Sequence, residues 1–138
     1  MTATESVPEP GARPTIRLTM PARLAHTSLV RACLRDAVAF STEDAESRFL
    51  LAATEVLVNA IEASNHQCVD EGEVVVTIDG SPAGHVEIRD SAGWWSPSIP
   101  KAGHLGAGLT IAQALVPLQL ETGPDGTVVR LGIEAEPR

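Results

Sequence analysis

Tyrosine is absent from this sequence of 138 residues, and phenylalanine and tryptophan occur only twice each. A core must therefore be built from Leu, Val, Ile and Ala, and at 43% hydrophobic residues the chain has enough of them. Cysteine is also scarce. Cys33 and Cys68 form no CxxC pair and share no metal-ligand spacing with His26, His66, His85 or His104. That excludes a disulfide framework and a zinc site, and points to reduced thiols and a cytoplasmic location. Positive charge is deficient: the formal net charge is −8. Such a balance argues against tracking a nucleic-acid backbone, which needs clustered Lys and Arg. No apolar run approaches the length of a membrane span, and the N-terminus lacks the charged-then-apolar pattern of a signal peptide.

What remains fits one domain. Residues 1–14, rich in Pro, Thr, Glu and Ala, lack periodicity and are expected to form a flexible tail ahead of a domain spanning 15–138. Thr15–Met20 alternates like a strand, and Pro21 closes it. Apolar residues from Ala22 to Phe40 form roughly one helical stripe. Ser41 with Asp44 resembles a capping pair for a second helix running to about Asn65. Its apolar face is Leu50, Thr54, Leu57, Val58 and Ile61, and Glu55, Asn59, Glu62 and His66 share another face. Glu73–Asp79 and His85–Asp90 alternate as a strand pair around Gly80–Gly84. A third helix is expected over about Leu105–Val116. Pro117–Glu121 and Thr127–Glu134 read as closing strands. Hairpins predominate over single-helix crossovers, which predicts an α+β two-layer sandwich: a mixed, mostly antiparallel sheet with about three helices on one face.

Several residues could carry chemistry. Glu55 and Asn59 lie one helical turn apart. A carboxylate can accept a proton, and an Asn amide oxygen suits Mg²⁺, although a solvated helix face is the better explanation of the pair taken alone. Asp90 ends its strand on the side of Val86 and Ile88. Its carboxylate therefore points at the core layer and needs a donor, such as the exocyclic amine of adenine; a strand-end turn is the alternative. Gly103–Leu109 opens the third helix, where glycines and unpaired amides suit a phosphate. Thr127 offers a hydroxyl at the head of the last strand, and Trp94–Trp95 are expected to anchor a loop on the core.

The order of these features (Glu-x-x-x-Asn at 55–59, Val86-Glu87-Ile88-Arg89-Asp90, Gly106-Ala107-Gly108-Leu109, Gly126-Thr127) resembles the GHKL, or Bergerat-type, ATPase superfamily. From Thr15 to Ile133 the chain is most similar to the small bacterial anti-sigma factor and serine/threonine kinase family. The resemblance implies the following roles. Glu55 would be the general base. Asn59 would ligate Mg²⁺. ATP would be bound by Asp90 on the adenine amine, with Gly93, Gly106, Gly108 and Leu109 near the nucleotide and Thr127 supporting the base. ATP and Mg²⁺ are the implied cofactors. A sigma factor and an antagonist phosphorylated on Ser or Thr are the implied partners, with no direct nucleic-acid or membrane partner. A homodimer stays an open alternative, since relatives often form one. Ala92 stands where the family carries a glycine, and Glu62 follows Asn59 where a basic residue is common. These departures favour a second reading, a non-catalytic binding module with ATP as a structural ligand or absent. A histidine-kinase core is disfavoured, because His26 is followed by Thr27-Ser28 rather than by the neighbours of a phospho-accepting histidine.

Overall fold

The computed structural model describes residues 2–5, 15–67, 72–81, 84–91, 102–123 and 126–133. Alternation makes the strands. In β2 (Thr15–Pro21), β3 (Glu73–Asp79), β4 (His85–Asp90) and β6 (Gly126–Gly132) every second residue is buried: Leu18 and Met20, then Val74, Val76 and Ile78, then Val86 and Ile88, then Val129 and Leu131. With β1 (Thr2–Glu5) and β5 (Leu118–Gly123) these strands form one six-stranded sheet in the order β1-β2-β3-β4-β6-β5. Every neighbouring pair is antiparallel, so the expected mixed sheet is antiparallel throughout its described strands. The outward face is polar. Glu87 bridges Arg89 and Arg130, each at 3.2 Å.

The other face carries the helices α1 (Thr27–Ala37), α2 (Glu43–Gln67) and α3 (Ala102–Leu115). The two-layer α+β architecture is thus the expected one. α2 is central, packing on α1, α3 and strands β3, β4 and β6. Its buried stripe runs through Phe49, Ala53, Val56, Leu57, Ala60 and Ile61, whereas Thr54 and Val58 of the predicted face are half-buried. Alanines at 52, 53, 60 and 63 let neighbouring elements come close. Each fully buried Leu, Ile or Phe contributes roughly 1.5–3 kcal/mol to this core.

Ahead of α2, four boundaries differ from the sequence expectation. Thr2–Glu5 is an edge strand paired with β2, within the segment expected as a tail. Its pairing comes from the backbone ladder and needs no apolar alternation. The first helix does not start at Ala22: Leu24–His26 form a 3-10 turn, and the Thr27 hydroxyl donates to the Leu24 carbonyl oxygen at 2.8 Å where α1 begins. α1 stops at Ala37 because Val38 turns extended. This sends Phe40 back onto Phe49, with ring centroids 5.6 Å apart. The cap of α2 is Thr42 rather than Ser41: its hydroxyl oxygen accepts from the Ala45 N–H at 2.9 Å.

Candidate nucleotide site

β4 ends at Asp90, and the strand alternation turns its carboxylate inward, as expected. Asp90 is 5% exposed on the face of Val86 and Ile88. The register places Asp90 opposite Val74 on β3 and opposite Thr127 on β6, which is fully buried. Thr127 in turn lies opposite Thr122 on β5, with their hydroxyl oxygens 2.8 Å apart. One inward-facing row therefore runs Val74, Asp90, Thr127, Thr122 across the end of the sheet. Gly126 makes the row compact. It has φ +135°, and a Cβ there would collide with the Asp90 carbonyl oxygen.

The second half of α2 lies over the same end. Gly72, just ahead of β3, backs directly onto Ser64 of the helix: a Cβ at 72 would sit 2.5 Å from the Ser64 Cβ. The Asn65 side-chain amide donates to the Ala22 carbonyl oxygen at 2.9 Å, and the Ala22 N–H donates to the Gly72 carbonyl oxygen at 2.8 Å. These contacts fix both the height and the rotation of α2. They leave Asn59 3% exposed, a buried polar residue among Ala and Val, with Glu55 and Glu62 half-buried beside it. Two buried polar side chains, Asn59 and Asp90, from separate elements thus lie in the helix–sheet layer, where polar groups need hydrogen-bond partners.

The third helix differs from expectation. α3 starts at Ala102, ahead of the expected start at about Leu105, so Gly103 lies inside it together with Gly106 and Gly108. Amides beyond the first turn bond within a helix. Gly106 and Gly108 therefore do not offer open N–H groups in this conformation, and the unpaired donors belong to the turn beginning at Ala102. Leu109 is 5% exposed and belongs to the hydrophobic core, which anchors α3. Gly93, with Ala92, Trp94 and Trp95, lies outside the described residues, as does the His66 side chain. The structure thus brings together Glu55 and Asn59 on one element and Asp90 and Thr127 on another pair. Sequence reasoning missed Thr122, Gly72, Asn65 and Gly126's close approach. Only the Gly126-Thr127 dipeptide carried any local signal of them.

Among the described residues no cluster of three or more His, Cys, Asp or Glu could hold a metal by itself. The donor set nevertheless suits Mg²⁺, which takes few protein ligands and keeps waters and phosphate oxygens around it. An amide oxygen such as that of Asn59 is chemically suited to such a role, and the Glu55 and Glu62 carboxylates lie on the same helix. No described helix is long and apolar enough to cross a membrane.

The chain belongs to the histidine kinase-like ATPase domain family, whose model matches residues 20–133. Among solved structures it is similar to the histidine kinase domain of the blue-light activated histidine kinase from Erythrobacter litoralis EL346, at 19% identity and a TM-score of 0.54. The match covers 83% of this chain and 61% of that one, so this chain spans about three fifths of its neighbour's length. At that identity the likeness bears on fold alone. No curated protein matches the chain.

Proposed function

We propose that this domain binds Mg-ATP and acts as a regulatory serine/threonine protein kinase of the anti-sigma type, phosphorylating an antagonist protein and holding a sigma factor. The observation that carries the nucleotide reading is the pairing of a buried Asn59, one turn from Glu55, with a buried Asp90 beside Thr127. Asp90 accepts the exocyclic amine of adenine, and guanine is rejected because its carbonyl would set two acceptors face to face. Asn59 would hold the Mg²⁺, which neutralises phosphate charge when bound. Glu55 takes the proton of the acceptor hydroxyl. The new bond joins that oxygen to the γ-phosphorus, the bond to the β–γ bridging oxygen breaks, and ADP departs. The serine/threonine and anti-sigma assignments rest on the resemblance of the four ordered motifs to the small anti-sigma kinases.

The second reading is a binding module without transfer. The helical setting of Gly106 and Gly108 favours it, because their amides are engaged within α3. Labelled ATP with a candidate antagonist decides. The kinase reading expects label on Ser or Thr of the antagonist from wild type, and none from Glu55→Gln. Equal labelling by the variant removes the catalytic role of Glu55. ATP binding without transfer establishes the module reading, and label on a histidine overturns the serine/threonine assignment.

A further inference from the structure

A groove between α1 and α2, away from Asp90 and Thr127, carries charge of the sign this chain has least of. Arg31 and Arg35 line it from α1; Ser47, Leu51 and Thr54 line it from α2, over a floor at Leu50. Its volume is about 230 Å³. The two arginines are one helical turn apart, about 6 Å along the axis, and both are exposed. Arg48, Arg89 and Arg130 pair with carboxylates, whereas the side chains of Arg31 and Arg35 make no ion pair or hydrogen bond among the described residues.

Neutralising carboxylates were at hand. α2 carries Glu43, Asp44, Glu46 and Glu55, yet the residues it turns to the groove are neutral. Asp36, next to Arg35 in sequence, does not line the groove either. Thr54 donates its hydroxyl proton to the Leu50 carbonyl oxygen at 2.7 Å, which leaves the arginines as the charged donors of the groove. Between them and α2 lies an apolar foothold: Leu51 is 48% exposed beside the buried Leu50.

A seam between two packed helices can seat a third, which reads it through residues one turn apart. Carboxylates at i and i+4 of such a helix match the Arg31–Arg35 spacing, and guanidinium forks suit carboxylates. A leucine-sized side chain on the same face reaches Leu50 and Leu51. A nucleic acid or an anionic bilayer fits poorly, because the chain as a whole carries −8 and repels both.

We propose that the α1–α2 groove is a docking site for an acidic amphipathic helix of a protein partner, with Arg31 and Arg35 on its carboxylates and Leu51 on its apolar residue. Glu55 lies one turn beyond Leu51 on α2, so a docked partner lies beside the base of the proposed transfer. Docking itself requires neither nucleotide nor transfer.

The test is fluorescence anisotropy of a labelled helical peptide titrated with the whole chain. The peptide carries two Glu one turn apart and a Leu on the same face, in an Ala and Gln background; a second peptide has Gln in place of both Glu. Wild type is expected to bind the Glu peptide saturably, less tightly as salt rises, and to bind the Gln peptide more weakly. Arg31→Gln and Arg35→Gln should each lower affinity roughly two- to fivefold, the scale of a partly exposed ion pair, and together about tenfold. Leu51→Ala should weaken binding as well. Arg17→Gln removes the same charge from an exposed position on the outer face of the sheet and should leave affinity unchanged. Melting temperatures of these surface variants should stay close to wild type. No binding of the Glu peptide by folded wild type, equal binding of the Gln peptide, or an equal loss in Arg17→Gln would overturn the inference. Retention on phosphatidylglycerol vesicles that needs Arg31 and Arg35, without peptide binding, would assign the groove to a membrane instead. Peptide binding by a chain that binds no Mg-ATP would uphold the docking site and remove the kinase reading; Mg-ATP binding without peptide binding would do the reverse.

Discussion

Asp90 and Thr127 face each other directly across β4 and β6, both inward and both buried, at the end of the sheet that α2 overlies. A carboxylate and a hydroxyl at adjacent strand ends form a donor–acceptor pattern about one strand spacing wide, near 4.8 Å.

The pair depends on Gly126. Its φ of +135° is closed to ordinary side chains, and a Cβ would press on the Asp90 carbonyl oxygen and on Ser91. Gly126→Ala is expected to cost about 1–3 kcal/mol of stability, to splay β6 from β4, and to weaken ATP binding in the same variant. Gly123→Ala, across the same hairpin, meets nothing within 4 Å and serves as the control. Thermal unfolding and nucleotide titration of both variants check this. Equal behaviour of the two would contradict it.

The height of α2 depends on Gly72 in a similar way. A methyl group there would meet the Ser64 Cβ at 2.5 Å, and helix and strand must part to admit it. Gly72→Ala is expected to lose about 1–3 kcal/mol by overpacking and to weaken binding of Mg-ATP more than binding of adenosine, because Asn59 moves with the helix while Asp90 stays with the sheet. Denaturant unfolding gives the first number, and paired titrations give the ratio.

Much of this arrangement was legible in the sequence where one period ran unbroken. The inward Asp90 followed from Val86 and Ile88, and the shared face of Glu55 and Asn59 followed from helical spacing. Burial of Asn59 did not follow, because it depends on α2 being clamped through Ser64, Asn65 and Gly72, contacts made across the fold. The Thr122–Thr127 contact was hidden for a related reason: it needs the hairpin register, which brings Gly123 opposite Gly126. The start of α3 misled because glycine-rich sequence reads as loop, whereas an apolar stretch anchored by buried Leu109 and Ala112 extends the helix from the expected Leu105 back over Gly103 to Ala102. β1 was invisible because an edge strand pairs through its backbone.

Cys33 offers a check on the α1 surface. Burial, and secondarily the Asp36 carboxylate, push its thiol above the ordinary value of 9.0. The native thiol therefore keeps its proton at pH values where the unfolded one releases it. Its contribution to stability is intact below about 9 and declines as pH rises through that value. Since the thiolate is the nucleophile, alkylation of Cys33 at about pH 8 should be slower in the native protein than in denaturant. Mass spectrometry of the Cys33 peptide reads this directly, and equal rates would contradict the assigned environment.

Titration of Mg-ATP into wild type and Asp90→Asn, with circular dichroism to show that both are folded, tests the central claim most directly. Asparagine keeps the shape of the side chain and replaces one acceptor oxygen by a donor that opposes the adenine amine. The account predicts one-to-one binding by wild type and a loss of at least about tenfold in the variant, the scale of a hydrogen bond to a charged group. Absence of binding by folded wild type, or equal affinity in Asp90→Asn, would contradict it.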